Sequence, residues 1–425
     1  MIQLLYNLLF PLALVFFLPG YVIRMLRRGN YRHHFGQRFG IYDRALRTRL
    51  AAQPYSWMHA VSVGEVMIAL KLATALKGRE PDLHVALTTT TTTGFALACK
   101  QAPDWIEVLY TPLDFWPIMR RAFEVIRPVR IVLVEAEVWP NLAAIAQRRR
   151  VPLALVNARL SLRSERRFQR FKMFVRPFFK KLDLVCVPEA EDIERWQSLG
   201  VERARIHQVG SIKFDPENME TSPEVPHAIL ATLGVDATRP ILLGGSTHRG
   251  EEEILAKILL RLRQEFPALF LIIAPRHVER AREVAEKLQT LGVQVALRSK
   301  AGGARPCDCL LLDTTGELRD WYSVATVVFI GKSLSAHGGQ NPVEAIIADR
   351  PVIFGPHMEN FAVLARSLVE VKGARQIQDE KDFAITLAEL LRDESKRARL
   401  IANARTVIAR HRGATARTAE LLERR

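Results

Sequence analysis

The sequence predicts an α/β protein of two successive units, each built on a parallel sheet, and three observations carry that prediction. Short β-branched runs alternate with helical stretches; the alternation stops at a polar segment near residue 220 and then restarts; and 425 residues suffice for two cores.

In the first unit the runs fall at 57–62, 84–88, 131–135, 153–157, 184–187 and 206–210. The segment 217–226 (ENMETSPEVP) reads as an exposed linker. The alternation resumes at 241–245, 270–274, 293–297, 310–313, 327–331 and 351–355. The expected domains are therefore 29–215 and 227–425, joined by 216–226 and preceded by a segment 1–28 of different character. Two such sheets leave a cleft at the carboxyl ends of their strands, where ligands bind in this architecture. Six threonines at 88–93 read either as a strand end running into a hydroxyl-capped helix or as a substrate contact.

Within residues 1–23 the clearly polar side chains are Gln3 and Asn7, and Arg24, Arg27 and Arg28 follow at once. That pattern predicts a membrane anchor with a cytoplasmic basic flank. Its length is near the minimum for a span, about 20 residues. Pro11 and Pro19 are expected to interrupt it, so a monotopic anchor competes with a single crossing. The segment lies far in sequence from most of the groups singled out below, which predicts an anchor separate from catalysis.

The formal charge of +16 is concentrated. Residues 1–50 hold eight Lys/Arg against Asp43, and residues 147–181 hold twelve against Glu165. With one patch beside the anchor, anionic lipid or a lipid phosphate is a simpler partner than nucleic acid. Within 163–181, Phe168, Phe171, Val175 and Phe178 recur at helical spacing among Arg163, Arg166, Arg167, Arg170 and Lys180. This is a basic amphipathic stretch that Pro177 kinks or ends; its aromatics suit either a core or a membrane surface. Cys99, Cys186, Cys307 and Cys309 lack the paired spacing of a zinc site and read as reduced thiols.

Three groups of residues can carry chemistry. In His59-Ala-Val-Ser-Val-Gly64-Glu65 a carboxylate opens the helix after the first strand, placed as a general base or as a complement to the helix dipole. In 134–141 (VEAEVWPN), alternation puts Glu135 and Glu137 on one side, an acid pair for which no third ligand supports a metal. In the second unit, Gly244-Gly245-Ser246-Thr247-His248, Ala274-Pro275-Arg276-His277 and 338–344 (GGQNPVE) follow strands or open a helix. Arg276 and a helix amino terminus at Asn341 and Pro342 suit an anionic leaving group, and Glu344 suits ribose hydroxyls.

Taken in order, HAVSVGE (59–65), EAEVWPN (135–141), NARLSLRS (157–164), GSIKFD (210–215), GSTHRGEE (245–252), PRH (275–277), TTGEL (314–318) and HGGQNPVEA (337–345) resemble the 3-deoxy-D-manno-octulosonic acid (Kdo) transferases of Gram-negative bacteria nearly end to end. The resemblance implies the GT-B fold, CMP-Kdo as donor, the tetraacylated bisphosphorylated precursor of lipid A (lipid IVA) as acceptor, and work at the inner membrane without cofactor or metal. It implies that Glu65 is the catalytic base of an inverting transfer and that Glu135 and Lys213 stabilise the transition state. It also implies that Pro275, Arg276, Thr315, Gly316, Glu317, Asn341, Pro342, Val343 and Glu344 bind CMP. One departure is Lys332, after Gly331, where the family more usually has a second glycine. The rival readings are another membrane-associated GT-B nucleotide-sugar transferase, a GT-B epimerase or soluble-acceptor enzyme, and a membrane-tethered binding module that would leave Glu65, Glu135 and Glu344 without a role.

Overall fold

The computed structural model describes residues 2–28, 34–135, 138–160, 162–216, 222–236, 238–303 and 307–424. The chain divides into two compact units, Met1–Asp215 with His411–Arg425, and Pro216–Arg410.

The first unit is built on seven parallel strands: β1 (Tyr55–Ala60), β2 (Val85–Thr89), β3 (Ile106–Tyr110), β4 (Pro128–Val134), β5 (Leu153–Val156), β6 (Leu184–Val187) and β7 (Ile206–Gln208). Their order is β3-β2-β1-β4-β5-β6-β7. Helices cover both faces, so the strands are apolar on both sides and the side-chain period of two separates two cores. Tyr55 and Trp57 of β1 join Ile131 and Leu133 of β4 in one core, while Met58 and Ala60 join Val132 and Val134 in the other. Later strands add on either side of β1, so chain direction across the sheet reverses between β1 and β4. Such a reversal splays the outgoing loops apart and opens a crevice.

The second unit repeats this plan with β8 (Ile241–Thr247), β9 (Phe270–Pro275), β10 (Val295–Leu297), β11 (Cys309–Leu311), β12 (Val327–Ile330), β13 (Val352–Phe354) and β14 (Arg375–Gln376). The order β10-β11-β9-β8-β12-β13-β14 reverses between β8 and β12.

Several expectations are corrected. Strands β3 and β14 were not anticipated: β3 is a five-residue edge strand with Glu107 and Val108 partly buried, and β14 has two exposed residues. The last fifteen residues return to the first unit, where the helix Ala414–Glu423 packs on the helix Val63–Arg79. The end of the proposed linker is ordered, since Pro226 is buried in the helix Glu224–Thr232, while 217–221 lie outside the described residues. The threonine run supplies the end of β2 and then Thr91, whose hydroxyl accepts from Gly94 N at the start of the helix Thr92–Gln101.

The N-terminal segment forms one continuous helix, Ile2–Arg28, through Pro11 and Pro19. Among the described residues no helix is long and apolar enough to cross a membrane. This helix is two-sided: Leu4, Leu8, Leu12, Val15 and Phe16 are exposed, whereas Gln3, Tyr6, Asn7 and Phe10 are half-buried against the first unit.

Candidate active site

The sequence motifs gather at the two topological reversals. After β1, Ser62 caps the helix Val63–Arg79 by accepting from Glu65 N. The Glu65 carboxylate closes the arrangement, accepting from Ser62 Oγ at 2.9 Å and from Val61 N at 2.8 Å. This is a capping-box geometry displaced by one residue, and it accounts for the S-x-x-E spacing. Glu65 is thus held rigidly at the carboxyl end of β1, with 8% of its surface exposed.

Beneath it, His59 is buried in β1 and its protonation follows from its neighbours. Thr88 Oγ1 donates to Met58 O at 3.2 Å, which leaves its oxygen to accept from Trp57 Nε1 at 2.9 Å and from His59 Nδ1 at 3.1 Å. His59 Nε2 then accepts from Trp139 Nε1 at 3.3 Å. The ring is neutral with its proton on Nδ1, and burial pushes its pKa down to about 4. Trp139 thereby ties the loop after β4 to β1.

At the end of β4, Glu135 N still donates to Val156 O at 2.9 Å, but the residue takes φ +64°. A non-glycine residue there is uncommon, and the turn, not strand alternation, sets the direction of its carboxylate. The proposed partner Glu137 lies outside the described residues. Glu135 lies within electrostatic reach of Lys213 and Arg159: burial pushes its carboxyl above the usual range and the two cations draw it back. Burial likewise lowers the Lys213 ammonium, with Glu135 opposing the shift.

Lys213 is positioned by residues that drew no separate notice in the sequence. Asn157, itself at φ +50° after β5, accepts from Ser211 Oγ at 3.1 Å and Ile212 N at 3.2 Å. His411 Nδ1 accepts from Ser211 N at 3.2 Å. Asp215 accepts from Gly413 N and Thr415 N at 3.0 and 2.8 Å, fastening the returning C-terminal helix beside the Lys213 loop. Asn157 was legible within NARLSLRS; nothing local in the sequence signals His411.

A second polar network supports the loop after β4. Asp114, buried, accepts from Asn141 N and Leu142 N at 2.9 Å each, capping the helix Pro140–Arg149. Burial pushes its carboxyl up to about 6 against those two bonds. Asn141 also exchanges hydrogen bonds with Asn7, at 2.8 and 3.0 Å, and accepts from Gln3 Nε2 at 3.2 Å. Phe10 stacks on Phe115, ring centroids 5.4 Å apart. The polar pair of the hydrophobic segment thus bonds to Asn141 of the motif EAEVWPN, so the segment, though far off in sequence, packs on the helix that follows β4.

In the second unit, Glu251 organises the reversal between β8 and β12. Its buried carboxylate accepts from His248 N (2.8 Å), Lys332 N (2.7 Å), Ser333 N (2.9 Å) and Leu334 N (3.0 Å). Its neighbour Glu252 accepts from Thr247 Oγ1 at 3.1 Å and pairs with Arg280 at 3.0 Å. GSTHRGEE showed both acids without showing that they hold loops. Gly331 has the Ser246–Thr247 backbone where a Cβ would stand, so no larger residue fits. Lys332 takes φ +58°, the conformation for which a glycine is suited.

The remaining candidates lie on loops at the carboxyl ends of the same sheet. Pro275 ends β9, and Arg276 N donates to Thr247 O at 3.0 Å while its guanidinium is exposed. Among the described residues Arg276 makes no ion pair within 4 Å. Thr315 and Gly316 are exposed after β11. Glu317 is already engaged, accepting from Arg298 Nε at 2.9 Å and Trp321 Nε1 at 3.4 Å. Val343 and Glu344 open a helix of five residues, Val343–Ile347, preceded by Pro342. Asn341 Oδ1 accepts from Val343 N at 3.2 Å. The expected amino-terminal phosphate site is therefore a single turn with one N–H already used, and its dipole is short.

Two open parallel sheets, each with its motifs at the reversal, define a two-domain GT-B-like α/β enzyme. The fold is shared with the crystal structure of a putative UDP-N-acetylglucosamine 2-epimerase from Listeria monocytogenes, which is 15% identical over 86% of this chain and 95% of that one, with a TM-score of 0.56. A family model described as 3-deoxy-D-manno-octulosonic-acid transferase matches residues 33–216. The 3-deoxy-D-manno-octulosonic acid transferase of Haemophilus influenzae is 33% identical over 93% of this chain and 92% of its own length, and that of Bordetella pertussis 35% identical over 86% of each. The chain belongs to the Kdo transferase family and is a glycosyltransferase that transfers Kdo in lipopolysaccharide biosynthesis.

Proposed function

We propose that the chain transfers Kdo from CMP-Kdo to lipid IVA, with inversion, at the cytoplasmic face of the inner membrane. The observation that carries this reading is Glu65, a carboxylate fixed by Ser62 and Val61 at the reversal between β1 and β4. A general base has to lie within hydrogen-bond reach of the proton it takes, and the carboxyl end of a strand at a topological reversal is where substrates bind in such sheets. Glu65 takes the proton of the acceptor hydroxyl while that oxygen bonds to the anomeric carbon of Kdo. The anomeric bond to CMP breaks, and its electron pair leaves with the phosphate.

Glu135 offsets positive charge developing on the sugar ring, and Lys213 offsets the carboxylate of Kdo. Pro275, Arg276, Thr315, Gly316, Glu317 and Asn341 to Glu344 bind the CMP portion. Since the helix Val343–Ile347 is one turn long, Arg276 supplies most of the charge for the phosphate, and Glu317, tied to Arg298, shapes its loop. No divalent cation is assigned to the step, because Glu135 faces two cationic side chains.

The membrane reading is monotopic. The exposed row Leu4, Leu8, Leu12, Val15 and Phe16 is one support. The other is the helix Lys172–Phe179 with its neighbours, where Phe171, Met173 and Phe174 are exposed beside Arg166, Arg167, Arg170 and Arg176, while Phe178 is core. Both elements pack against the helix Pro140–Arg149. An apolar ridge flanked by arginines fits an anionic lipid surface, at about 1 kcal/mol per basic residue close to it.

The test is a donor screen with the purified full chain in detergent. CMP release from CMP-Kdo, dependent on added lipid IVA, is expected. Turnover of a UDP-sugar in its place would overturn the assignment.

A further inference from the structure

The second unit carries a cluster that the transfer does not use. His337 lies on the loop after β12, and His357 and Glu359 lie on the loop after β13. These strands pair in parallel, so their outgoing loops leave side by side. Glu359 Oε1 stands 3.2 Å from His337 Nδ1 and 3.5 Å from His357 Nδ1, and the two imidazole centroids are 3.8 Å apart. One ligand atom from each residue lies within 4.8 Å of the other two.

These spacings match a coordination polyhedron. With bonds of about 2.0–2.2 Å, the ligands of a tetrahedral ion stand roughly 3.4 Å apart. Both nitrogen–oxygen edges fall near that value before any ion binds. Two imidazoles and a carboxylate form a donor set suited to zinc and its neighbours rather than to magnesium or calcium, which prefer all-oxygen sites.

The supports of these ligands are already in place. Gly338 N donates to the other Glu359 oxygen, Oε2, at 2.6 Å, which orients the carboxylate and leaves Oε1 to the cluster. Asn360 N donates to Gly338 O at 2.9 Å, and His357 N to Ser333 O at 3.0 Å, so the two loops are bound to each other by backbone. The side chains of His337 and Glu359 are 76% and 55% exposed, which leaves a path for an ion and room for water as a fourth ligand.

We propose that His337, His357 and Glu359 form a three-ligand site for a divalent transition cation of the zinc type. An ion there bridges the loop 331–339 to the loop 355–361. Gly338 and Gly339 sit against Asn360 and Met358 at that junction and lead directly into Asn341–Glu344. The bound ion therefore restrains the approach to the segment assigned to CMP, separately from the bond-making carboxylates of the first unit.

Cobalt(II) titration of the metal-free full chain tests this, because tetrahedral cobalt with nitrogen and oxygen ligands absorbs strongly in the visible and zinc displaces it. A visible band saturating at about one equivalent is expected, with affinity at least tenfold weaker in both H337A and E359Q. Glu359→Gln keeps an acceptor for Gly338 N, and an unchanged circular dichroism spectrum confirms that it folds. A band of equal affinity in both variants would place the ion elsewhere and overturn the site. So would the absence of any band, which leaves the three side chains as a hydrogen-bonded cluster.

Discussion

Asn7 and Asn141 exchange two amide hydrogen bonds, at 2.8 and 3.0 Å, and through them the apolar N-terminal helix is joined to the first turn of the helix Pro140–Arg149 that follows β4. Asn141 is fully buried, and Asn7 Oδ1 also accepts from Trp116 N at 3.1 Å, so loss of the Asn7 amide takes one partner from Asn141 and the acceptor from Trp116 N. The two faces of the N-terminal helix therefore have different tasks.

Asn7→Leu is expected to destabilise the first unit by about 1–3 kcal/mol, the cost of a buried polar group left unpaired. It should also slow turnover on detergent-dispersed acceptor. Leu8→Ser, on the exposed face, should leave unfolding unchanged and weaken binding to anionic vesicles. Denaturant melts and vesicle sedimentation of the two variants separate the effects. Equal stability of Asn7→Leu and wild type would return the helix to a pure anchor.

Lys332→Gly tests the strained turn after β12. The left-handed conformation costs a non-glycine residue roughly 1–2 kcal/mol, and glycine gives back part of that as extra freedom of the unfolded chain, about 0.5–1 kcal/mol. The backbone bonds to Glu251 and Gly339 do not need the side chain. The variant should be as stable as wild type or up to about 1 kcal/mol more so. A clear loss of stability in denaturant would mean that the lysine side chain itself supports the loop.

His59 gives a pH dependence with a definite sign. Its folded pKa, about 4, lies below its ordinary value of 6.5, so the folded state favours the neutral ring. The contribution is fully present above pH 6.5 and is lost as pH falls from there toward 4, because only the unfolded chain takes up the proton. Nitrogen NMR of the labelled protein should show an Nδ1–H tautomer that does not titrate between pH 5 and 8. Titration near pH 6.5 would contradict the hydrogen-bond order through Thr88 and Trp139.

Much of this was readable in the sequence where the signal is local. Buried parallel strands are apolar runs, and the S-x-x-E spacing of Ser62 and Glu65 states its own capping geometry. The edge strand β3 escaped notice because it is short and Glu107 interrupts its apolar run. What sequence could not supply is long-range: His411 reaching Ser211, Glu251 gathering the backbone of 332–334, and Asn7 meeting Asn141 are separated by 200, 81 to 83, and 134 residues. The helix at Val343 was overestimated for a related reason. Gly-Gly and Pro mark where a helix starts but not how soon it stops.

Mass spectrometry of the lipid product tests the proposed role of Glu65 as base in transfer of Kdo to a lipid acceptor. Full-length wild type, incubated with CMP-Kdo and lipid IVA, should raise the acceptor mass by one Kdo residue or more. Glu65→Gln keeps an acceptor for Val61 N and turns its amide NH2 toward Ser62 Oγ, which can accept, but removes the base, so it should fold and yet convert acceptor about 10²–10⁴-fold more slowly. An acceptor of unchanged mass with wild type, or a folded Glu65→Gln variant of near-normal rate, would contradict the account.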